Sequence, residues 1–276
     1  MKRFAFYLFF FSAGFFALCP PQIKKNHFPK AKEEKPFVIL IPSYNNEKYC
    51  VANIRSALQQ EYKNFRVLFI NDCSTDRTLE LVERETLGRE NVKIINNKKR
   101  KLALYNLYHA VHNDISGNEI VITLDGDDQL AHPHVLSNLN RIYSNPKKEI
   151  WLTYGQFLEQ RSCRKGFAKP FPREVIRGNT FRKHPDLPTH LRTFYAWLFQ
   201  KIKIEDLQKE GKFYEMSWDS AAMIPMIEMA CNHFCFVPEV LYLYNDHNPI
   251  SDHRIDHIKQ FAINKEIRAK PAYKQL

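Results

Sequence analysis

Residues 119–128 read EIVITLDGDD, an apolar run rich in β-formers that ends in three aspartates within four positions. The apolar part, 119–124, predicts a buried strand. Carboxylates placed directly after such a strand are partly desolvated and repel one another, and a divalent cation relieves both costs. Mg²⁺ or Mn²⁺ binds one or two carboxylates and fills its other positions with water and phosphate oxygens. The stretch therefore predicts a divalent cation and a diphosphate ligand, with a turn of solvated carboxylates as the alternative.

Strands and helices alternate on both sides of this stretch. Apolar runs predict strands at 37–41, 65–70, 92–95, 119–124 and 150–155. Apolar residues at helical spacing predict helices between them. The alternation predicts an α/β fold with a Rossmann-like, mainly parallel sheet flanked by helices. Ligands of such sheets lie at the carboxyl ends of the strands, where a second acidic segment, INDCSTD at 70–76, also falls.

The later part of the chain is less regular. Residues 156–190 are basic and rich in turn formers, which is typical of loops around a site. The pattern then predicts a helix over 191–203, a helix after Asp219 and a closing strand in FVPEVLYLY at 236–244.

The chain carries 41 Lys and Arg against 30 Asp and Glu, a formal net charge of +11. An excess of this size indicates an anionic partner, and nucleic acid, acidic lipid headgroups and a phosphorylated small molecule all qualify. Most of the excess lies in 20–36, 98–101 and 161–183.

The N-terminus, MKRFAFYLFFFSAGFFALCPP, has a basic start and an apolar stretch that ends at two prolines. Its length fits a signal peptide or a short membrane anchor, and an uncleaved anchor is favoured because no clear cleavage site follows. The lysines that follow predict, by the positive-inside rule, a membrane-associated protein with a cytoplasmic catalytic domain. In a eukaryote that domain would lie in the lumen of the secretory pathway.

Several common signatures are absent from the sequence. The eight glycines never lie closer than nine residues apart, so neither a G-x-G-x-x-G nor a Walker A loop exists. H-E-x-x-H and G-x-S-x-G are also missing, and an EF-hand register fails at the position that requires glycine. These absences exclude the corresponding motifs.

Three motifs give a specific resemblance. P-x-Y-N-x-E at 42–47, N-D-x-S-T-D-x-T at 71–78 and L-D-G-D-D at 124–128 follow in order. In this order and spacing, residues 36–155 resemble family 2 glycosyltransferases of the GT-A fold. The later segments THLRTFYAWLFQKI, SWDSAAM and LYLYNDHNPISDH resemble one branch of that family more loosely.

The resemblance implies a division of the chain. Residues 1–19 are predicted as an N-terminal signal or anchor segment and 20–36 as a basic stem. Residues 37–155 are predicted as a nucleotide-sugar-binding α/β half, and 156–260 as an acceptor-binding and catalytic-base half of the same domain. Residues 261–276 are predicted as a basic C-terminal tail.

The resemblance also implies roles in donor binding. Pro42 and Tyr44 match positions that line the nucleobase pocket, and Asp72 matches the aspartate that hydrogen-bonds the base, usually uracil. Asp125 and Asp127 match the D-x-D that holds the donor ribose and the metal.

Asp128 is expected to share the metal contact with Asp127, and Mn²⁺ or Mg²⁺ is the expected cofactor. Where the family often has Asn-x-Gly, this chain has a run of Lys and Arg. The functional interpretation places Arg100 or Lys101 against the base or diphosphate. The alternative is a solvated basic segment at the start of the following helix.

Asp219 matches the family's general base, which deprotonates the acceptor hydroxyl while the nucleotide leaves from the opposite face. The common Glu-Asp pair is Trp218-Asp219 here, so Glu215 is kept as a second candidate. The structural alternative is that Asp219 only caps the following helix.

Four further residues are candidate contacts of the acceptor or the diphosphate. His190 and Arg192 are placed toward the acceptor, while His247 and His253 are placed as a late metal ligand or a diphosphate contact. Surface or packing roles are the alternatives for the histidines.

These assignments predict an inverting, metal-dependent transferase that moves a sugar, with UDP as the expected nucleotide, to a hydroxyl group of a glycan, a lipid-linked molecule or a protein. Membrane association through the N-terminus is expected, and nucleic acid is not. Two alternatives remain: a degenerate relative that binds a nucleotide without turnover, and a basic module that binds nucleic acid or anionic membrane.

Overall fold

The computed structural model describes residues 33–249 and 256–276. Its strands are β1 Phe37–Ser43, β2 Phe65–Asn71, β3 Val92–Asn96, β4 Ile120–Thr123, β5 Gln129–Leu130, β6 Leu152–Glu159, β7 Arg192–Tyr195, β8 Gln208–Lys209, β9 Lys212–Phe213 and β10 Phe234–Tyr244. Its helices are α1 Cys50–Leu58, α2 Thr78–Glu85, α3 Ala103–Asn113, α4 Val135–Tyr143, α5 Arg173–Gly178, α6 Ala196–Phe199, α7 Trp218–Ala230 and α8 His257–Ala269. Helix α8 includes the start of the segment predicted as a basic tail.

An eight-stranded sheet forms the centre of the fold, in the order β3-β2-β1-β4-β7-β6-β10-β5. Strand β1 runs parallel to β2 and β4, β2 runs parallel to β3, and β6 runs parallel to β10. Strand β1 lies between β2 and β4, so the two acidic strand ends, at Asp72 and Asp125, flank the end of β1. The predicted α/β class with a mainly parallel sheet is confirmed.

The predicted helix over 191–203 is wrong. Residues Arg192–Tyr195 form strand β7, which pairs antiparallel with both β4 and β6, and only Ala196–Phe199 is helical. Thr193 and Phe194 are fully buried in these pairings, so tertiary packing decides the conformation of a segment whose local pattern is ambiguous.

The two faces of the sheet carry separate apolar cores. Val38 and Leu40 of β1 pack with α3 and α7, while Ile39 and Ile41 pack with α1 and α4. This alternation is the period of a strand buried on both faces. The layers hold the carboxyl ends of β1, β2 and β4 as a rigid base for the loops that follow them.

Helix α7 is buried along nearly its whole length and carries Asp219 in its first turn. Within it, the fully buried Glu228 accepts two hydrogen bonds from Arg182, at 2.8 and 2.9 Å. Burial raises the pKa of Glu228, although Arg182 opposes the shift. Arg182 also donates to the carbonyl of Ile267 in α8, at 2.6 Å. The pair thus joins α8 to the helix that carries Asp219.

The predicted membrane-anchored localisation is contradicted. Across residues 33–249 and 256–276, no helix combines the length and the apolar character that a membrane crossing requires. The segment predicted as the anchor, 1–19, lies outside the described residues.

Candidate active site

The aspartate loop after β4 is clamped from α1. Asn53 donates from Nδ2 to the carbonyl oxygens of Asp125 and Asp128, at 2.8 Å each. Between them, Gly126 packs against β1, where a Cβ would lie 2.5 Å from Ser43 Oγ. A larger residue would therefore displace the loop, which explains why glycine separates the aspartates.

Asp128 is held by the last residues of β10 and the loop that follows it. The Tyr242 hydroxyl donates to Asp128 Oδ2 and the Asn245 backbone N–H donates to Oδ1, both at 2.6 Å. Asp128 is only 1% exposed. Burial, followed by the charges of Asp127 and Asp125, raises its pKa well above the ordinary value. A cation at this position would offset both causes.

Asp125, Asp128 and His190 form the group best placed to hold a metal ion among the described residues. Each offers one ligand atom, and these atoms lie within 4.8 Å of one another. His190 stacks on the Tyr242 ring with centroids 4.4 Å apart. Burial and then Arg192 lower the pKa of His190 well below its usual value, so its ring is neutral and offers a nitrogen lone pair. Two carboxylates and an imidazole fit a divalent transition metal such as Mn²⁺.

This group differs from the predicted pair of Asp127 and Asp128. Asp127 instead accepts a hydrogen bond from Asn248 Nδ2, at 2.6 Å, and burial raises its pKa. His247 is exposed and meets the Tyr49 ring edge-on at 6.0 Å. His253 lies outside the described residues.

The residues predicted to bind the nucleobase meet around the ends of β1 and β2. Asp72 is 3% exposed and accepts from the backbone N–H groups of Lys101 and Leu102, at 2.9 and 2.8 Å. This anchors the basic segment so that the Arg100 guanidinium carbon lies 3.9 Å above the Tyr44 ring centroid. In this structure Asp72 therefore positions Arg100 against the Tyr44 ring.

The two other predicted residues of this region point in different directions. Pro42 lines a small cavity together with Trp218 at the start of α7. The Lys101 ammonium lies 4.7 Å above the Tyr105 ring of α3. Its backbone, rather than its side chain, contacts the predicted base site.

Asp219 is joined to the metal-ligand group by Arg192. Arg192 is 4% exposed and donates from Nη2 to Asp219 Oδ2 at 2.9 Å. Its Nη1 lies 3.1 Å from His190 Nδ1, which is 4.0 Å from Asp125 Oδ2. The Asp219 side chain is 29% exposed, so it is open to solvent on one side. The second candidate base, Glu215, pairs with Lys259 and is more than half exposed.

Four residues of the site were not predicted: Asn53, Tyr242, Asn245 and Asn248. The last three belong to the segment LYLYNDHN, which followed the family pattern but in which only His247 was given a role. A signal was present, because polar residues directly follow a strand. Their neighbours could not be inferred, since β10 reaches the site only through its pairing with β5 and β6.

Comparisons with known proteins bear on the family and the fold of the chain. The family model described as Glycosyl transferase family 2 matches residues 38–205. A poly(ribitol-phosphate) beta-N-acetylglucosaminyltransferase TarS from Staphylococcus aureus is 40% identical over 50 residues, which are 17% of this chain and 9% of that protein. An uncharacterized glycosyltransferase from Haemophilus influenzae is 39% identical over 129 residues, 46% of this chain and 38% of that protein. The matched segments thus span less than half of these relatives.

Two solved structures share the fold. That of S. aureus TarS 1-349 in complex with UDP-GlcNAc has a TM-score of 0.56 at 17% identity and covers 79% of this chain and 60% of that chain. That of the mannosyltransferase PcManGT from Pyrobaculum calidifontis, in complex with GDP-Man and Mn2+, has a TM-score of 0.60 at 17% identity and covers 89% and 68%. At these identities the likeness establishes the GT-A fold alone.

Proposed function

The chain belongs to glycosyl transferase family 2, and we propose that it is an inverting enzyme that transfers a sugar from a UDP-sugar to a hydroxyl group of an acceptor. One observation carries this proposal. The metal-ligand group of Asp125, Asp128 and His190 is joined to the carboxylate of Asp219 through the buried Arg192. A site for a cation and a candidate general base therefore belong to one connected site.

Asp125, Asp128 and His190 would hold a divalent cation, and the imidazole ligand favours a transition metal such as Mn²⁺ over Mg²⁺. Bound there, the ion would supply Lewis-acid stabilisation of the leaving diphosphate. Tyr242 and Asn245 fix the orientation of Asp128, and the stacked Tyr242 ring supports His190. These contacts prepare the ligand positions before the donor arrives.

In the proposed reaction, a carboxylate oxygen of Asp219 takes the proton of the acceptor hydroxyl while the hydroxyl oxygen of the acceptor attacks the anomeric carbon of the donor sugar. The bond from that carbon to the diphosphate breaks on the opposite face, which inverts the configuration. Arg192 occupies Asp219 Oδ2. Among the described residues, Asp219 Oδ1 accepts a hydrogen bond from the adjacent backbone N–H of Ser220, at 2.8 Å. The ion pair thus fixes the orientation of the proposed base.

UDP is proposed as the nucleotide because Tyr44, Arg100 and Asp72, the residues expected to bind a uracil base, lie together at the ends of β1 and β2. The TarS structure in complex with UDP-GlcNAc supports this choice, although the GDP-Man complex of PcManGT shows a guanine nucleotide on the same fold.

The test uses the full-length protein. UDP and GDP are titrated with Mn²⁺, with Mg²⁺ and with EDTA, and a panel of nucleotide sugars is then screened for donor hydrolysis and transfer. We expect UDP binding that depends on the metal, together with metal-dependent hydrolysis of at least one UDP-sugar. UDP binding that is indifferent to metal would contradict the proposed site. Binding without turnover of any donor would favour the nucleotide-binding alternative.

Replacing Tyr242 by Phe tests how the ligands are positioned. The change removes only the hydroxyl that donates to Asp128, so we expect Mn²⁺ affinity to fall about 10- to 100-fold. Calorimetric titration of Mn²⁺ measures the effect. Tyr62→Phe is the matched control, because Tyr62 donates to the carbonyl of Lys35, away from the site. An equal loss of affinity in both variants would contradict the assignment.

Replacing Arg192 by Met or by Lys tests the orientation of the base. We expect kcat to fall about 10- to 100-fold in Arg192→Met, because Asp219 loses its partner. Arg192→Lys should recover part of the loss, while KM for the donor stays within about twofold of the unmodified protein. Arg66→Lys, which alters the Arg66–Glu119 pair at the start of β2, is the control. A change in donor KM without a change in kcat would overturn this role.

A further inference from the structure

A hairpin of opposite charge borders the acidic site. Strand β6 continues into residues 158–169, which we name the rim hairpin. Its arms are joined by a bridge between Leu158 and Lys165 and by a hydrogen bond from the Glu159 N–H to the carbonyl of Arg164, at 2.9 Å. It is therefore an ordered element rather than an open loop.

The rim hairpin is tied to the segment that holds Asp128. The Gln160 N–H donates to the carbonyl of Tyr244 at 2.8 Å, and the Arg161 N–H donates to Asp246 Oδ1 at 2.9 Å. Asn245, which lies between these two acceptors in the sequence, donates its own N–H to Asp128. The hairpin backbone is thus linked to Asp128 by two hydrogen bonds and the peptide bond between Tyr244 and Asn245.

The exposed side chains of the rim hairpin are strongly cationic. Arg161, Arg164, Lys165 and Lys169 are all exposed. In the described part of the chain only Arg164 of these four has an ion-pair partner, Glu159 at 2.9 Å. Residues 160–169 contain no acidic residue. Three exposed cations within nine residues of one hairpin, with no ion pair among the described residues, favour an anionic ligand.

An exposed aromatic ring accompanies the cations. Phe167 is 65% exposed, although it packs edge-on against the buried Phe157 with ring centroids 5.9 Å apart. Phe157 in turn contacts the His190 ring at 5.7 Å. Because Phe157 supports the Phe167 ring, Phe167 can cover the apolar face of a sugar. Phe167 is the one exposed aromatic side chain among the described residues of the hairpin, whereas single-stranded nucleic acid is usually bound by several stacking rings.

We propose that the rim hairpin binds the acceptor and that this acceptor is an anionic glycan, whose phosphate or carboxylate groups contact Arg161, Lys165 and Lys169. The inference rests on the proposed function, since it names the acceptor of the same site. Phe167 packs on a sugar ring of the acceptor, and the cations hold the charged groups on either side. In this arrangement a hydroxyl group of the acceptor glycan is directed toward Asp219.

The test compares two triple variants of the full-length protein. Arg161→Ser/Lys165→Ser/Lys169→Ser removes the unpaired cations of the hairpin. Lys63→Ser/Arg89→Ser/Lys147→Ser removes the same charge from exposed positions before the amino ends of β2, β3 and β6, whereas the site lies at the carboxyl ends of the strands. Fluorescently labelled polyphosphate, polygalacturonate, neutral dextran and a single-stranded oligonucleotide are titrated in the presence of UDP and Mn²⁺.

We expect polyphosphate or polygalacturonate to bind the unmodified protein, and the Kd to rise roughly 10-fold in the hairpin variant and less than twofold in the control. The better of the two polymers identifies phosphate or carboxylate as the acceptor's charged group. Phe167→Ala should weaken polygalacturonate binding without altering that of polyphosphate. Equal losses of affinity for the anionic polymers in both triple variants would overturn the inference. It would also be overturned if dextran or the oligonucleotide bound more tightly than either anionic polymer.

Titration of UDP with Mn²⁺ in the same variants separates this inference from the proposed function. Donor affinity should stay within twofold in the hairpin variant. Metal-dependent UDP binding without binding of either anionic polymer overturns the acceptor inference alone. Absence of metal-dependent UDP binding in the unmodified protein overturns the proposed function.

Discussion

Replacing Asp219 by Asn is expected to lower the rate of sugar transfer about 100- to 10,000-fold while leaving UDP affinity within about twofold. The amide has nearly the same shape as the carboxylate, but it cannot take a proton from the acceptor hydroxyl, and general-base catalysis typically contributes a factor of this size. Asp219 lies on helix α7, and its side chain contacts Arg192 and the Ser220 N–H rather than Asp72 or the Tyr44–Arg100 stack. Donor binding should therefore survive.

The measurement is single-turnover transfer at saturating donor, alongside a UDP titration. Asp114→Asn is the matched control, because Asp114 pairs with Lys93 at the surface. Glu215→Gln tests the second candidate base, which is exposed and paired with Lys259. If Glu215→Gln stops transfer and Asp219→Asn does not, the base has been assigned to the wrong residue.

The second large effect is expected from Asp128→Asn, which should lower Mn²⁺-dependent UDP binding by at least about 100-fold. Residues that only orient a metal ligand already contribute about 10- to 100-fold, and Asp128 is placed as a ligand. The pKa of Asp128 is raised by burial and by the charges of Asp127 and Asp125, so its ionised form is costly when no metal is bound. The neutral amide removes that cost.

Thermal unfolding distinguishes a metal ligand from a purely structural residue. Without metal, Asp128→Asn should melt at the same temperature as the unmodified protein or higher, and the rise in melting temperature caused by Mn²⁺ should vanish. Asp127→Asn is the informative companion, because Asp127 contacts Asn248 and lies outside the group of Asp125, Asp128 and His190. A reversed result, with Asp127→Asn losing the response and Asp128→Asn keeping it, would restore the pair predicted from sequence.

The sequence predicted the part of the site that depends on neighbouring strands. Strands β1, β2 and β4 are buried apolar runs followed by Asp72 and Asp125, and parallel βαβ units bring their ends together. The metal-ligand group was harder to predict from the sequence. His190 reaches it because β7 inserts antiparallel between β4 and β6, in a segment that reads locally as a helix. Long-range pairing of this kind leaves little local signature.

The position of β10 was hidden for the same reason. Tyr242 and Asn245 approach Asp128 from more than a hundred residues away, through pairings with β6 and the short β5. The residues that hold the acidic loop therefore became visible only in three dimensions. The hydrogen bond between Arg192 and Asp219 likewise required the fold, since each residue had been assigned separately.

The anchoring of the basic segment by Asp72 has a kinetic consequence. Asp72 holds the backbone of Lys101 and Leu102 while Arg100 lies on Tyr44, so the surface proposed to bind the base is already ordered without a nucleotide. Little conformational entropy remains to be lost there on binding. Association should follow a single phase whose observed rate rises linearly with UDP concentration, without the plateau that a slow loop closure would impose. Differences in affinity among nucleotides should then appear mainly in their dissociation rates.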